Sequence, residues 1–211
     1  MKILLLGKNG QLGYELAKQL PAIAEVIAYG RDELDLTDLN AVVQAVQTHQ
    51  PNIIVNAAAY TAVDKAETDS VNCYLANAAA PAILANEAKA IGALLIHYST
   101  DYVFDGTKTT PYEPTDTPNP INYYGYSKLM GEEGIKYSGC DYLIFRTSWV
   151  YHPDYGNNFY RSMQRLAKER EMLNIVADQH GIPNDARDLA ADTVKLLQQP
   201  LAQLKAQSGI Y

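Results

Sequence analysis

The stretch that most constrains the fold is the start of the chain, where the apolar run Lys2-Ile3-Leu4-Leu5-Leu6 meets Gly7-Lys8-Asn9-Gly10-Gln11-Leu12-Gly13. A short β-forming run ends at a glycine, two further glycines follow at three-residue spacing, and Tyr14 to Leu20 carries apolar residues at helical spacing. Strand, tight turn and helix in this order form a cradle for a dinucleotide pyrophosphate. Glycine lets the backbone turn sharply and approach a phosphate, and a helix N-terminus offers free N–H groups and partial positive charge. The spacing is G-x-x-G-x-x-G rather than the usual G-x-G-x-x-G, so a tight βα turn without a ligand is the competing reading. Gly7, Asn9, Gly10, Gln11, Leu12 and Gly13 are the first candidate cofactor residues.

Further strands are expected at 25–29, 52–56, 93–98, 142–146 and 173–177. Helices are expected from Thr37 or Asp38 to Gln50, over an Ala-rich stretch from Asp69 to Ile91 bent or restarted at Pro81, and at 124–137, 157–168 and 185–199. Strands alternating with helices predict an α/β fold: a Rossmann-type, doubly wound parallel sheet with helices on both faces. The 211 residues, 47% hydrophobic, suffice for one such core. Ser208 to Tyr211 reads as the start of another strand, and the chain is expected to be a fragment of a longer protein. Residues 1–211 then form one NAD(P)-binding domain, with 147–211 leading into an incomplete substrate-binding part.

A net charge of −7 argues against nucleic acid and anionic membranes as partners, and no apolar run approaches the roughly 20 residues of a membrane span. Cys73 and Cys140 have no metal or redox spacing, which fits free thiols in a reducing cytoplasm. A cytoplasmic location is the expectation.

In an open parallel sheet, ligands sit beyond the carboxyl ends of the strands. The glycine turn, Ala57-Ala58-Ala59-Tyr60, Ser99-Thr100-Asp101-Tyr102 and the helix carrying Tyr124 and Lys128 are all expected on that edge. Small residues at 57–59 admit either a bulky ligand or close helix–sheet packing. Tyr124 and Lys128 stand four apart, on one helical face. A phenol with pKa about 10 is a poor proton donor at neutral pH, and a nearby ammonium would lower it. Such a phenol could pass a proton while hydride moves at a carbonyl carbon. Tyr123 and Tyr126 compete, but neither has a lysine four residues on. The loop from Ser99 to Asn122, with four prolines, is long enough to be functional.

Together, GKNGQLG, NAAAYT, STDYVFDG and YGYSK resemble the extended short-chain dehydrogenase/reductase family, and ELDLTD, RTSWVY and DQHGIP narrow the resemblance to members that reduce a nucleotide-sugar ketone. The resemblance covers essentially the whole chain. It implies that Gly10, Gln11 and Leu12 lie on the cofactor pyrophosphate, Asp35 and Leu36 near adenine, and Ala58, Ala59 and Tyr60 along the ribose-phosphate side. Thr100 would bond the sugar carbonyl, Tyr124 would protonate it, and Lys128 would tune Tyr124 and hold the nicotinamide ribose. Asp101, Tyr102 and Trp149 would line the sugar pocket, although a lone tryptophan fits a core position equally well. Related dehydratases carry Asp-Glu after the strand-end Thr. Here Asp101-Tyr102 follows, which disfavours dehydration.

Gly30-Arg31-Asp32 contains the signals for both cofactors; Arg31 leads, so NADPH is expected, with NADH tolerated. The family's Thr after Gly-x-Pro is replaced by Asn184. Some members form magnesium-linked homodimers through carboxylates; Glu15 is present, but Arg187 stands where a second acid is expected, so no metal site is predicted. A homodimer stays an expectation. The alternatives are a non-catalytic regulatory subunit and a sugar-nucleotide epimerase or dehydratase.

Overall fold

A computed structural model describes residues 1–211. Six parallel strands run through the molecule in the spatial order β2-β1-β3-β4-β5-β8. They are β1 (Lys2–Leu6), β2 (Glu25–Tyr29), β3 (Ile53–Asn56), β4 (Leu94–Thr100), β5 (Asp141–Thr147) and β8 (Gly209–Ile210). The chain leaves β1 for β2 on one side and returns to β3 on the other. The order therefore reverses beside β1, and a crevice opens at the carboxyl edge there.

Alternation along β1 explains the two layers. Leu4 and Leu6 face α2 (Leu39–His49), α5 (Ala80–Ile91) and α6 (Tyr123–Ser138), packing with Val42, Val46, Leu84 and Ile135. Ile3 and Leu5 face α1 (Gln11–Gln19), α8 (Ala186–Leu197) and α9 (Leu201–Ala206), packing with Leu16, Ala190, Leu197 and Leu204. Both faces of β1 are buried, which is why its sequence is a continuous apolar run rather than an alternating one. Residues 186–210 thus return to the main sheet and complete its second layer. No helix is long and apolar enough to cross a membrane.

Three expectations need correction. The stretch 173–177 forms no strand: Ile175 and Val176 are exposed, with no sheet edge beside them to take up their backbone hydrogen bonds. The Ala-rich stretch restarts beside Pro81 rather than bending there, and the irregularity lies just before it. After α3 (Val63–Ala66) and α4 (Ser70–Tyr74), residues Leu75–Ala79 form a π-turn, and Pro81 sits in the first turn of α5, where its missing N–H costs little. Finally, β4 reaches Thr100, so Ser99 and Thr100 belong to the strand and the irregular segment starts later. A separate parallel pair, β6 (Val150–Tyr151) with β7 (Asn184–Asp185), flanks α7 (Phe159–Glu169) in sequence.

Candidate active site

The glycine turn is built by close approach. Gly7 has φ +92°, and a Cβ there would come within 2.7 Å of the Ala58 nitrogen on β3's extension. The Gly7 and Lys8 amides donate to the Tyr29 carbonyl at 2.9 and 3.1 Å, tying the turn to the end of β2. Gly10 precedes α1 in an extended conformation, and no side chain caps the helix. Its first N–H groups are left to a ligand. Gly13 lies behind the turn, where a Cβ would overlap the Gly7 carbonyl. It allows helix and strand to pack and does not line the crevice. The Asn9 side chain rests on Gly30, where any Cβ would overlap its amide.

Beside this turn is a cavity of about 650 Å³, within the range of roughly 300–1,000 Å³ usual for ligand clefts. Apart from Gly13, every residue given a cofactor, catalytic or sugar-pocket role from the sequence lines it, including Arg31, Asp35, Leu36, Ala58, Ala59, Tyr60, Asp101, Tyr102 and Trp149, whereas the competing Tyr123 and Tyr126 do not. At one end, Asp35 accepts from the Thr37 amide and hydroxyl at 2.9 Å each and from Arg31 Nε at 3.2 Å. The Thr37 amide, Thr37 hydroxyl and Arg31 bonds outweigh partial burial and hold the Asp35 carboxyl below its ordinary value. Tyr60 is fixed through its backbone: Asn77 Oδ1 accepts from its amide at 2.8 Å and Asn77 Nδ2 donates to its carbonyl at 3.0 Å.

At the other end Thr100, the last residue of β4, caps the 3-10 turn Asp101–Val103 by accepting from the Tyr102 amide at 3.2 Å. Its hydroxyl donates to Asp101 at 3.2 Å. Burial pushes the Asp101 carboxyl up, against this hydrogen bond. Asn122 caps α6, and Gly125 is pressed onto that turn, since a Cβ would overlap the Tyr102 carbonyl. This contact carries Tyr124 to Thr100, edge-on to Tyr102 with 5.6 Å between ring centroids.

Lys128 lines the same cavity, where the hydrogen bonds of its ammonium go to β4 and not to Tyr124. Its ammonium donates to the Tyr98 carbonyl at 2.7 Å and meets His97 Nε2 at 3.1 Å. Burial raises Tyr124 to about 12, with the Thr100 hydroxyl opposing and Asp101 adding to the rise. Lys128 itself is lowered to about 8 by burial, against the fields of Glu132 and Cys73.

Trp149 is 45% exposed, which excludes the core reading. It takes φ +41° and its ring covers Gly181, where a Cβ would lie 2.6 Å from the indole. Asn184 holds this corner, donating through its amide to the Trp149 carbonyl at 3.3 Å and accepting from the Ser148 amide at 3.1 Å. Thr147, Gly156 and Asn157 also line the cavity and were not anticipated. Thr147 pairs in register with Thr100 at the carboxyl edge, so the strand-end rule applied to β5 would have found it. Gly156 and Asn157 come from an irregular segment whose path no periodicity reveals.

The uncapped helix behind a glycine turn, the guanidinium at one end of the cleft and the Thr100–Tyr124 pair at the other fit a nicotinamide dinucleotide phosphate beside a carbonyl compound.

The RmlD substrate binding domain model matches residues 1–211. The dTDP-4-dehydrorhamnose reductase of Burkholderia thailandensis is 48% identical over 214 aligned positions, covering 100% of this chain and 72% of its own length. The Salmonella typhimurium enzyme of that name is 42% identical, at 100% and 71% coverage. The crystal structure of dTDP-4-dehydrorhamnose reductase from Bacillus anthracis in complex with NADP superimposes with a TM-score of 0.92 at 40% identity, covering 100% of this chain and 73% of that one. A UDP-glucose 4-epimerase from Thermus thermophilus, at 20% identity and a TM-score of 0.79, shares the fold. With the model matched end to end by a chain whose strand edge carries this cleft, the protein belongs to the RmlD substrate binding domain family.

Proposed function

We propose that the chain is an NADPH-dependent dTDP-4-dehydrorhamnose reductase, converting the 4-keto group of dTDP-4-dehydro-L-rhamnose to the alcohol of dTDP-L-rhamnose. The observation that carries this reading is the convergence of Thr100 and Tyr124 on the cavity that also holds the uncapped α1 N-terminus. The relatives' activity and the NADP of the Bacillus anthracis complex support the substrate and cofactor. When bound, the cofactor supplies the hydride.

The side chains supply the rest. Gly7, Asn9, Gly10, Gln11 and Leu12 receive the pyrophosphate, and Gly13 supports the turn from behind. Arg31 meets the charge of the 2′-phosphate, with Asp35 and Leu36 beside the adenine; Ala58, Ala59 and Tyr60 follow the ribose and phosphates. Thr100 donates to the sugar carbonyl. The Tyr124 phenol, raised to about 12, keeps its proton until oxyanion charge develops, then delivers it. Lys128 holds the ribose side, and Asp101, Tyr102 and Trp149 enclose the sugar. Of residues 147–211, expected to lead into the substrate-binding part, 147–185 keep that role, while 186–210 pack on the main sheet instead. The buried free thiols Cys73 and Cys140 agree with a reducing cytoplasm. The assembly is a homodimer, to be read by light scattering.

The test is NADPH consumption with the keto sugar nucleotide. Tyr124→Phe lowers kcat by about 100-fold or more while NADPH still binds. Unchanged turnover in this variant would sink the reading, as would a failure of the unaltered protein to consume NADPH.

A further inference from the structure

Two residues other than glycine take a positive φ, Gln50 at +46° and Trp149 at +41°. Gln50 closes the C-terminus of α2, where a left-handed residue is an ordinary helix ending. Trp149 closes no helix. It stands on the cavity wall between the end of β5 and the start of β6. A bulky residue in this region sets its Cβ against the following carbonyl, and the conformation persists only where the surroundings over-determine it. Asn184 supplies that constraint. Its Oδ1 accepts from the Ser148 amide at 3.1 Å, and its own amide donates to the Trp149 carbonyl at 3.3 Å. One residue thus grips the chain on both sides of the Trp149 Cα. Ser148 Oγ adds a bond to the Ile182 carbonyl at 2.5 Å, and Val150 is the register partner of Asn184.

The same segment forms the seat of the ring. The indole lies over Gly181, where a Cβ would stand 2.6 Å from Cε2 and 2.9 Å from Nε1. Gly181 itself is outside the left-handed region, so what it contributes is a missing Cβ and not backbone freedom. Thr147, two residues before Trp149, is the register partner of Thr100. We propose that Asn184 is a positioning residue of the sugar pocket: by gripping the turn at Trp149 it seats the indole on Gly181 and fixes the pocket wall that starts beside Thr100. The proposal deepens the reductase reading and rests on it for the sugar, though not for the seat of the ring.

A seated indole is a rigid apolar wall that touches the ligand without taking part in proton or hydride transfer. Ground state and transition state meet it alike, so loss of the seat raises the KM for the sugar nucleotide and leaves kcat nearly unchanged. The cofactor turn hangs on Tyr29 and Ala58, neither of which Asn184 touches, so NADPH binding is separable. Asn184→Ala removes the acceptor for Ser148 and keeps the backbone donor. Asn184→Asp keeps both, with an oxygen of the same reach. Gly181→Ala leaves the grip intact and puts a methyl group under the ring.

The chain has one tryptophan, so indole emission and its quenching by acrylamide, read without cofactor, report Trp149 alone. In Asn184→Ala and in Gly181→Ala the emission is expected to move to the red and the quenching to rise. The KM for dTDP-4-dehydro-L-rhamnose should rise about 5- to 20-fold in both, with kcat within about threefold and the NADPH Kd within about twofold. Asn184→Asp should restore the unaltered emission and KM. Emission and quenching unchanged in both alanine variants overturn the proposal, as does a moved indole with an unchanged KM, or an Asn184→Asp as impaired as Asn184→Ala. Should Asn184→Ala not fold, Gly181→Ala and Asn184→Asp decide. The fluorescence arms need no turnover, so an unaltered protein that fails to consume NADPH sinks the reductase reading, while the seat of Trp149 stands or falls by its emission.

Discussion

Glu15 Oε1 lies 3.0 Å from His152 Nε2, and both side chains are buried where α1 meets the segment after β6. His152 Nδ1 accepts from the Asp154 and Tyr155 amides at 3.0 Å each, so the ring organises its own loop while its Nε2–H reaches the helix. Gln11 joins the same clamp by accepting from the His152 amide at 2.8 Å and from Asn158 Nδ2 at 2.6 Å. Tyr14 stacks on Tyr155 with 3.9 Å between centroids. The helix whose uncapped N-terminus opens on the cleft thereby also anchors the segment bearing Gly156 and Asn157.

This clamp has a definite pH signature. Burial alone would raise Glu15, but hydrogen bonds from His152, Lys18 and Gln19 outweigh it and hold the carboxyl at about 2, against an ordinary 4.5. A depressed carboxyl stabilises the fold fully above its unfolded value and loses that contribution as pH falls through its folded value. Glu15→Gln therefore costs about 1–3 kcal/mol at neutral pH, and the deficit shrinks between pH 4.5 and about 2. Urea unfolding of both proteins across that window checks this; a pH-independent difference would contradict it.

Gly7→Ala combines a left-handed backbone with a Cβ placed 2.7–2.8 Å from the backbone of Ala57 and Ala58. Neither obstacle is a side chain that can swing aside. The expected loss is about 2–4 kcal/mol from conformational strain and overpacking, with weaker NADPH binding because the turn and β3 move apart. Thermal unfolding and cofactor titration measure the two effects, and a Tm within a degree of wild type refutes the close approach.

The sequence made the sheet legible wherever burial on both faces left an uninterrupted apolar run, as in Ile3 to Leu6 and Ile53 to Val55. Most of the site was legible for a related reason: parallel strands deliver their ends to one edge, so Thr100 and the glycine turn had to meet there. The direction of the Lys128 side chain was not. Its i, i+4 spacing from Tyr124 placed both on one helix face, but the Tyr98 carbonyl and His97 claim the ammonium, and these contacts exist only after α6 packs on β4. His97 carries no local signal for the same reason. The stretch 173–177 misled in the opposite way, because an apolar composition without a neighbouring strand cannot make a ladder.

Arg31 is the cationic arm at one end of the cleft, with a single 3.2 Å bond to Asp35 and most of its side chain in solvent. A phosphate is a stronger guanidinium partner than this exposed carboxylate. Arg31→Ala should raise the NADPH KM by about 10- to 100-fold and leave the NADH KM within about twofold. Parallel steady-state kinetics with both cofactors test it. Equal losses with NADPH and NADH would move recognition of the 2′-phosphate to another residue.

Behind Thr100, Ser99 donates to Glu132 at 2.5 Å, and Arg146 closes on the same carboxylate through Nε at 3.1 Å and a second nitrogen at 2.6 Å. Glu132 has no exposure, and the Arg146 guanidinium lies 4.9 Å from the Phe104 ring centroid. Removing one charge from such a pair leaves the other desolvated, whereas removing both relieves two desolvation penalties. Arg146→Met should thus destabilise by about 3–5 kcal/mol, and adding Glu132→Leu should recover part of that loss. The double variant still lacks the acceptor for Ser99, so the end of β4 loses its anchor and kcat falls with KM nearly unchanged. Urea unfolding of the four proteins in the cycle, combined with kinetics of the double variant, separates the two roles. Additive losses would show that Glu132 and Arg146 do not act as a pair.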